Sequence, residues 1–203
     1  MNKARWIRNS IRLFCHATVV LAIFSCSSQP VGESKFYLLN QVQPVESNPV
    51  ASKALTSDQS TTRAYTLQIN LPEYLKRPNL VMQINQHQLH YAQLARWAED
   101  LDDGIRKVLT NQLAQSQIIL TGDYPTFAPQ NRLVLEIEHF YPTDQGKVIL
   151  SGQYWRVDFT DPLTINKHRF FYEEKLTENG YEQAVVQMRS LLGKLADELA
   201  AGL

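Results

Sequence analysis

Apolar positions along the chain recur with two distinct periods. Tyr65, Leu67, Ile69 and Leu71 alternate with Thr66, Gln68 and Asn70, and Leu80, Met82 and Ile84 repeat the alternation. A period of two belongs to a strand with one buried face. Residues 88–91 read as a strand pairing back across Asn85-Gln86-His87, residues 36–39 and 118–120 as short strands. Residues 132–141 alternate Leu133, Leu135 and Ile137 against Glu136 and Glu138. After the turn Thr143-Asp-Gln-Gly146, residues 147–159 return as a long strand. A second turn at Asp161-Pro162 leads to another strand over 168–176.

Two segments carry the helical period instead. Leu101, Ile105, Val108, Leu109 and Leu113 recur at steps of three and four, as do Ala184, Val185, Met188, Leu191, Leu192, Leu195 and Leu199. Asp100, Asp102 and Asp103 open the first helix, where carboxylates oppose the dipole and cap free amides. Asn179, with Glu182 three residues on, forms a capping box for the second. The order predicts one α/β or α+β domain, a mixed sheet of about six strands with two main helices packed on a face.

The first 25 residues follow another logic. Lys3, Arg5, Arg8 and Arg12 precede any acid, and residues 13–24 are mostly apolar. A helix of that length rises about 18 Å, too short for a hydrocarbon core of about 30 Å. A basic start and a short apolar stretch make a secretory signal peptide. It ends in Ile23-Phe24-Ser25-Cys26, which resembles a bacterial lipobox, with Phe24 where a small residue is usual. On that reading cleavage between Ser25 and Cys26 leaves Cys26 to carry a diacylglycerol thioether and an N-acyl chain; the alternative is ordinary signal-peptide cleavage or a buried Cys26. Several acyl chains anchor where one does not, since each buried methylene contributes about 0.8 kcal/mol. Ser27, rather than aspartate, after the lipid cysteine implies transfer to the outer membrane in a diderm bacterium.

The predicted organisation is a signal peptide (1–25), a lipidated cysteine with its tether (26–35) and a folded domain (36–203) interrupted by a polar loop at 41–62. Residues 27–35 reach at most about 30 Å fully extended, so the domain stays beside the membrane holding its lipid.

This division changes the charge balance. The whole chain has 20 basic and 20 acidic residues, but the four charges in residues 1–25 are all basic. The mature chain is mildly acidic, at −4, which argues against nucleic acid as a partner. Cys15 leaves with the signal peptide and Cys26 is blocked, so no thiol remains for redox chemistry.

Candidate chemistry is sparse. There is no phosphate loop, dinucleotide fingerprint, HExxH or GxSxG, and the chain reads as non-enzymatic, without metal or cofactor. Asp100, Asp102 and Asp103 lack the rest of a calcium loop. His87 and His90, three apart on a strand or turn, point to opposite faces. His139 and His168 lie within strands as hydrogen-bonding groups, and Glu136 and Glu138 fit a solvated face better than a glycosidase pair. Tyr74, Trp97, Tyr154, Trp155, Phe170, Phe171 and Tyr172 are core residues, or in part an exposed strip that docks a partner or acyl chain.

The most distinctive stretch is Leu71-Pro72-Glu73-Tyr74-Leu75-Lys76-Arg77-Pro78, followed by Leu80-Val-Met-Gln-Ile-Asn85 and by Ala95-Arg96-Trp97-Ala-Glu-Asp-Leu101. It resembles the hallmark of the ABC-type transport auxiliary lipoproteins, the PqiC-like family, and the similarity spans about residues 36–200. That resemblance implies a fold with anticodon-binding-domain-like topology and no nucleic-acid role. It also implies an outer-membrane lipoprotein facing the periplasm. Its partners would be a periplasm-spanning MCE-domain protein and that protein's inner-membrane permease, in lipid transport and envelope integrity. Homo-oligomers matching the partner's ring are a further implication. Two rivals stand beside this reading, a direct lipid carrier and an assembly lipoprotein of another envelope complex.

Within the motif, Pro72 ends a strand by removing a donor and Pro78 biases Arg77 to an extended shape. Tyr74 and Leu75 then turn inward as a small plug, leaving Arg77 to pair with Glu99 or Asp100. Leu71, Pro72, Tyr74, Leu75, Arg77, Pro78, Arg96 and Trp97 form a structural turn or a partner-binding surface, and both readings remain open.

Overall fold

The computed structural model describes residues 32–40, 63–121, 131–159 and 166–203. Residues 1–25, the lipobox Ser25-Cys26, the 41–62 loop and the Asp161-Pro162 turn lie outside them. Residues 34–203 form one compact unit.

The strands are β1 (Lys35–Tyr37), β2 (Arg63–Asn70), β3 (Asn79–Asn85), β4 (Gln88–Trp97), β5 (Ile118–Thr121), β6 (Asn131–Pro142), β7 (Lys147–Asp158) and β8 (Lys167–Lys175). Among the described residues the helices are α1 (Leu101–Ala114) and α2 (Tyr181–Gly202), and a 3-10 turn spans Glu73–Leu75. Each segment with an apolar period became an element of the corresponding kind. The domain is mixed α+β, as the order of elements predicts, but the eight strands among the described residues divide between two sheets. One has the order β1-β4-β3 and the other β5-β2-β6-β7-β8. Periodicity reports which face of a strand is buried and says nothing about which neighbour it pairs with.

In the larger sheet β2 runs parallel to both β5 and β6, and β6-β7-β8 form an antiparallel meander. The chain leaves β2 for the small sheet, crosses back through α1 and returns alongside β2 as β5. Both helices pack on the larger sheet and against each other. Leu67, Leu133, Leu135, Ile137 and Leu150 from the strands meet Ile105 and Leu109 of α1 and Leu191, Leu192 and Leu195 of α2 in one core. Each such side chain contributes about 1.5–3 kcal/mol on burial. Arg106 of α1 donates to the Leu67 carbonyl at 2.7 Å. That carbonyl lies one residue beyond the last β2–β5 pair, Thr66 with Thr121, so the helix supplies a donor where β5 has ended.

Two capping expectations are corrected. Asp100 is the N-cap of α1 without a side-chain capping bond; its carbonyl accepts from the Gly104 amide at 3.1 Å instead. The N-cap of α2 is Gly180, at φ 126°, so the Asn179–Glu182 box does not form. A positive φ suits glycine, and it moves the helix start one residue past Asn179.

Candidate functional site

The distinctive motif lies where the two sheets meet. Pro72 has φ −65° and opens the 3-10 turn, whose Leu75 amide donates to the Pro72 carbonyl at 2.9 Å. A missing N–H costs nothing at such a start, and the fixed φ suits it. The turn aims Leu75 into the core, where it is 3% exposed, and half-buries Tyr74 against it. Lys76 and Glu73 pair on the exposed side at 2.5 Å.

Tyr74 reaches the larger sheet. Its hydroxyl donates to the Glu138 carbonyl at 2.5 Å, and its ring sits 6.2 Å from that of Tyr141. Register explains the acceptor. β6 pairs Ile137 with Gly152 and then His139 with Ser151, so Glu138 is the extra residue of a β-bulge. A bulged residue loses its ladder partner, and Tyr74 replaces it. Burial first, then Tyr141, Tyr91 and Glu138, hold the Tyr74 hydroxyl protonated far above the usual tyrosine range.

Arg77 does not pair with Glu99 or Asp100. Its guanidinium lies over the Tyr91 ring, 4.8 Å from the centroid, and Glu99 is taken by Lys107. That hydrogen bond raises the Lys107 pKa. Lys107 stands on the second turn of α1 and reaches back to Glu99, the residue before the N-cap Asp100.

Pro78 closes the motif against the small sheet, its carbonyl accepting from the Trp97 amide at 2.7 Å. β3 pairs Asn79 with Arg96 and Val81 with Tyr91, which leaves extra residues in β4. Asn79 Nδ2 donates to the Ala92 carbonyl there at 2.7 Å. Ala95 and Trp97 face the core, with Trp97 8% exposed, while Arg96 faces outward beside its β1 partner Phe36. Leu71 and Ile69 line a cavity of about 260 Å³ with Lys76, Asp100, Leu101 and Asp102.

The motif thus joins Leu71, Pro72, Tyr74, Leu75, Arg77 and Pro78 to Tyr91, Arg96, Trp97 and Tyr141. Tyr91 and Tyr141 escape a sequence reading, because each is one apolar position among several in an alternating strand. Gly152 inside a strand and the three-residue step from Ile137 to Phe140 are the sequence signals of the bulge.

The aromatic strip separates into parts. Trp97, Tyr154 and Phe170 are core, and Phe171 is exposed. Tyr154 and Phe170 stack with ring centroids 6.4 Å apart, and His168 stacks on Tyr154 at 5.2 Å. The polar candidates have ordinary partners. His139 Nδ1 and Ser151 Oγ are 3.0 Å apart, Gln153 donates to Glu136 at 2.8 Å, and Arg169 pairs with Glu138 at 3.0 Å. His87 and His90 are exposed. Among the described residues no three His, Cys, Asp or Glu gather as metal ligands, and no helix is long and apolar enough to cross a membrane.

A model of the ABC-type transport auxiliary lipoprotein component family matches residues 37–200, from the end of β1 to the last turns of α2. The chain is similar to the intermembrane transport lipoprotein PqiC of Escherichia coli K12. The two are 25% identical over 181 residues, covering 89% of this chain and 91% of that one. A crystal structure of an uncharacterized protein superposes with a TM-score of 0.68 at 20% identity, over 84% of this chain and 99% of the other. One from Xanthomonas campestris does so with a TM-score of 0.61 at 11% identity, over 70% and 83%. These two structures speak for the fold alone. With nearly the whole folded unit matched by the family model, the chain belongs to the ABC-type transport auxiliary lipoprotein component family.

Proposed function

We propose that this auxiliary lipoprotein is held at the outer membrane by acyl chains on Cys26. There it anchors or caps the far end of a periplasm-spanning MCE-domain protein, whose inner-membrane permease completes the transport system. The observation that carries the reading is the position of β1, which begins at Lys35, nine residues after Cys26. A domain on so short a tether stays at one membrane, so intermembrane transport needs a long partner. The similar E. coli protein is an intermembrane transport lipoprotein. The role is non-enzymatic: Glu136, Glu138 and His139, the nearest approach to an acid–base group, are all engaged by neighbouring side chains. Mild crosslinking and affinity capture of the native lipoprotein recovers an MCE-domain protein. Capture that returns none, from cells where both are produced, sinks the reading.

A direct lipid carrier is the second reading. Its support is a cavity of about 380 Å³ lined by Met82, Pro142, Leu176, Tyr181 and Ala184, with Asp144 and Asn179 among the polar groups. That volume is at the small end of ligand sites. Lipid co-purifying with the Cys26→Ala protein, detected by mass spectrometry, would favour the carrier.

A further inference from the structure

Phe36, Leu38 and Leu94 are 63%, 50% and 40% exposed. Single apolar side chains on a surface are ordinary; their grouping here is not scattered. Phe36 and Arg96 are register partners in the parallel β1–β4 pair, so both project from the face opposite Ala95 and Trp97. Leu94 stands two residues before Arg96 on that face, and Leu38 follows β1 two residues after Phe36. Arg77, over Tyr91, borders the same face. Lys35, Arg77 and Arg96 form no ion pair among the described residues, although the mature chain carries an excess of acid.

We propose that this outer face of the three-stranded sheet rests on the leaflet that holds the Cys26 lipid. Phe36, Leu38 and Leu94 enter the headgroup and upper acyl region, and Arg96 and Arg77 meet anionic headgroups. The proposal rests on the lipidation of Cys26 put forward above.

Tether length selects the membrane as occupant. Nine residues span at most about 30 Å, whereas a domain of this length is about 40 Å across, from a radius of gyration near 15 Å. The face bearing β1 therefore cannot turn to the far side of the domain from its own anchor. Chemistry agrees: an aromatic ring and leucines beside arginines are what the bilayer interface accepts. Cations without carboxylate partners among the described residues complement a leaflet containing anionic lipid, where each contributes about 1 kcal/mol. That local attraction coexists with the net acidity of the domain because screening confines it to about 10 Å.

The mature lipoprotein provides its own test, since its one cysteine is the lipidated Cys26. Phe36→Cys, Leu94→Cys and the control Phe171→Cys on β8 are each labelled with a nitroxide. They are then reconstituted in vesicles of phosphatidylethanolamine with a minor fraction of phosphatidylglycerol. Labels at 36 and 94 become shielded from an aqueous nickel relaxant and accessible to oxygen, and the label at 171 does not change. Replacing phosphatidylglycerol by phosphatidylcholine lowers the docked-to-undocked ratio about fivefold per engaged cation. Protein that floats with the vesicles while both labels stay aqueous overturns the docking face and leaves lipidation intact. Protein that does not float overturns lipidation, and the docking face with it. Shielding that appears in detergent and grows with protein concentration identifies a second copy as the occupant and also overturns the proposal.

Discussion

The Tyr74 hydroxyl donates to the carbonyl of Glu138, 64 residues away, at the point where β6 has one residue too many for its partner. A turn that precedes the small sheet thereby completes the hydrogen bonding of the large one. Removing the hydroxyl leaves a half-buried carbonyl without a donor, which costs about 1–2 kcal/mol. Tyr74→Phe is expected to lower the unfolding free energy by that amount, read as a fall in the urea midpoint with an unchanged m-value. No change in midpoint would mean that water replaces the tyrosine.

The same bulge fixes Gly152. A Cβ there would lie 2.1 Å from the Glu136 carbonyl oxygen and 3.0 Å from the Ile137 Cα, both backbone atoms that cannot swing aside. Gly152→Ala is expected to destabilise by about 3 kcal/mol or more. Gly193 in α2 has nothing within 4 Å of the corresponding position. Gly193→Ala should stabilise by about 0.5–1 kcal/mol through helix propensity. Thermal melts of the two variants should therefore move in opposite directions.

Alkaline pH should weaken the fold through buried phenols. Burial, and then Glu198, pushes the Tyr154 pKa to about 12, and burial with the Glu198 hydrogen bond moves Tyr172 in the same direction, as burial does for Tyr74. The unfolded value is about 10. Above pH 10 the unfolded chain releases protons that the folded chain retains. The contribution of these groups is full below pH 10 and is lost as the pH rises through 12. Urea titrations at stepped alkaline pH should show a falling midpoint, with a shallower fall in Tyr172→Phe.

Arg77 distinguishes a structural motif from a binding one. An exposed cation over Tyr91 contributes about 0.5–1 kcal/mol, so Arg77→Ala should melt only a few degrees lower. If the motif also serves the MCE partner, capture of that partner should fall well beyond what the lost stability explains. Equal capture by Arg77→Ala and the native protein would assign the residue to the fold.

The outer-membrane site proposed above has a test at Ser27. Ser27→Asp should keep the acylated protein at the inner membrane, and Cys26→Ala should release it to the soluble fraction. Sucrose-gradient fractionation separates the three outcomes, and native protein recovered in the inner-membrane fraction would contradict an outer-membrane site.

The amino-acid sequence by itself determined the elements. Alternation placed β2, β3 and β6, because a pleated chain with one buried face shows that period, short apolar runs and turn residues marked the other strands, and the three-to-four spacing placed α1 and α2. It also determined the family, through a motif whose prolines restrict backbone shape locally. Tertiary structure decided the rest. The division into two sheets depends on pairing partners, about which one strand's pattern is silent. The start of α2 was set by the positive φ of Gly180, and the fate of Arg77 by the hold of Lys107 on Glu99. The Tyr74–Glu138 bond needed a bulge, across which the core face of β6 steps from Ile137 to Phe140, and only the pairing with β7 shows that Glu138 is the residue left over. The gathering of Phe36, Leu94 and Arg96 on one face required two strands, 58 residues apart in sequence at Phe36 and Leu94, to lie side by side.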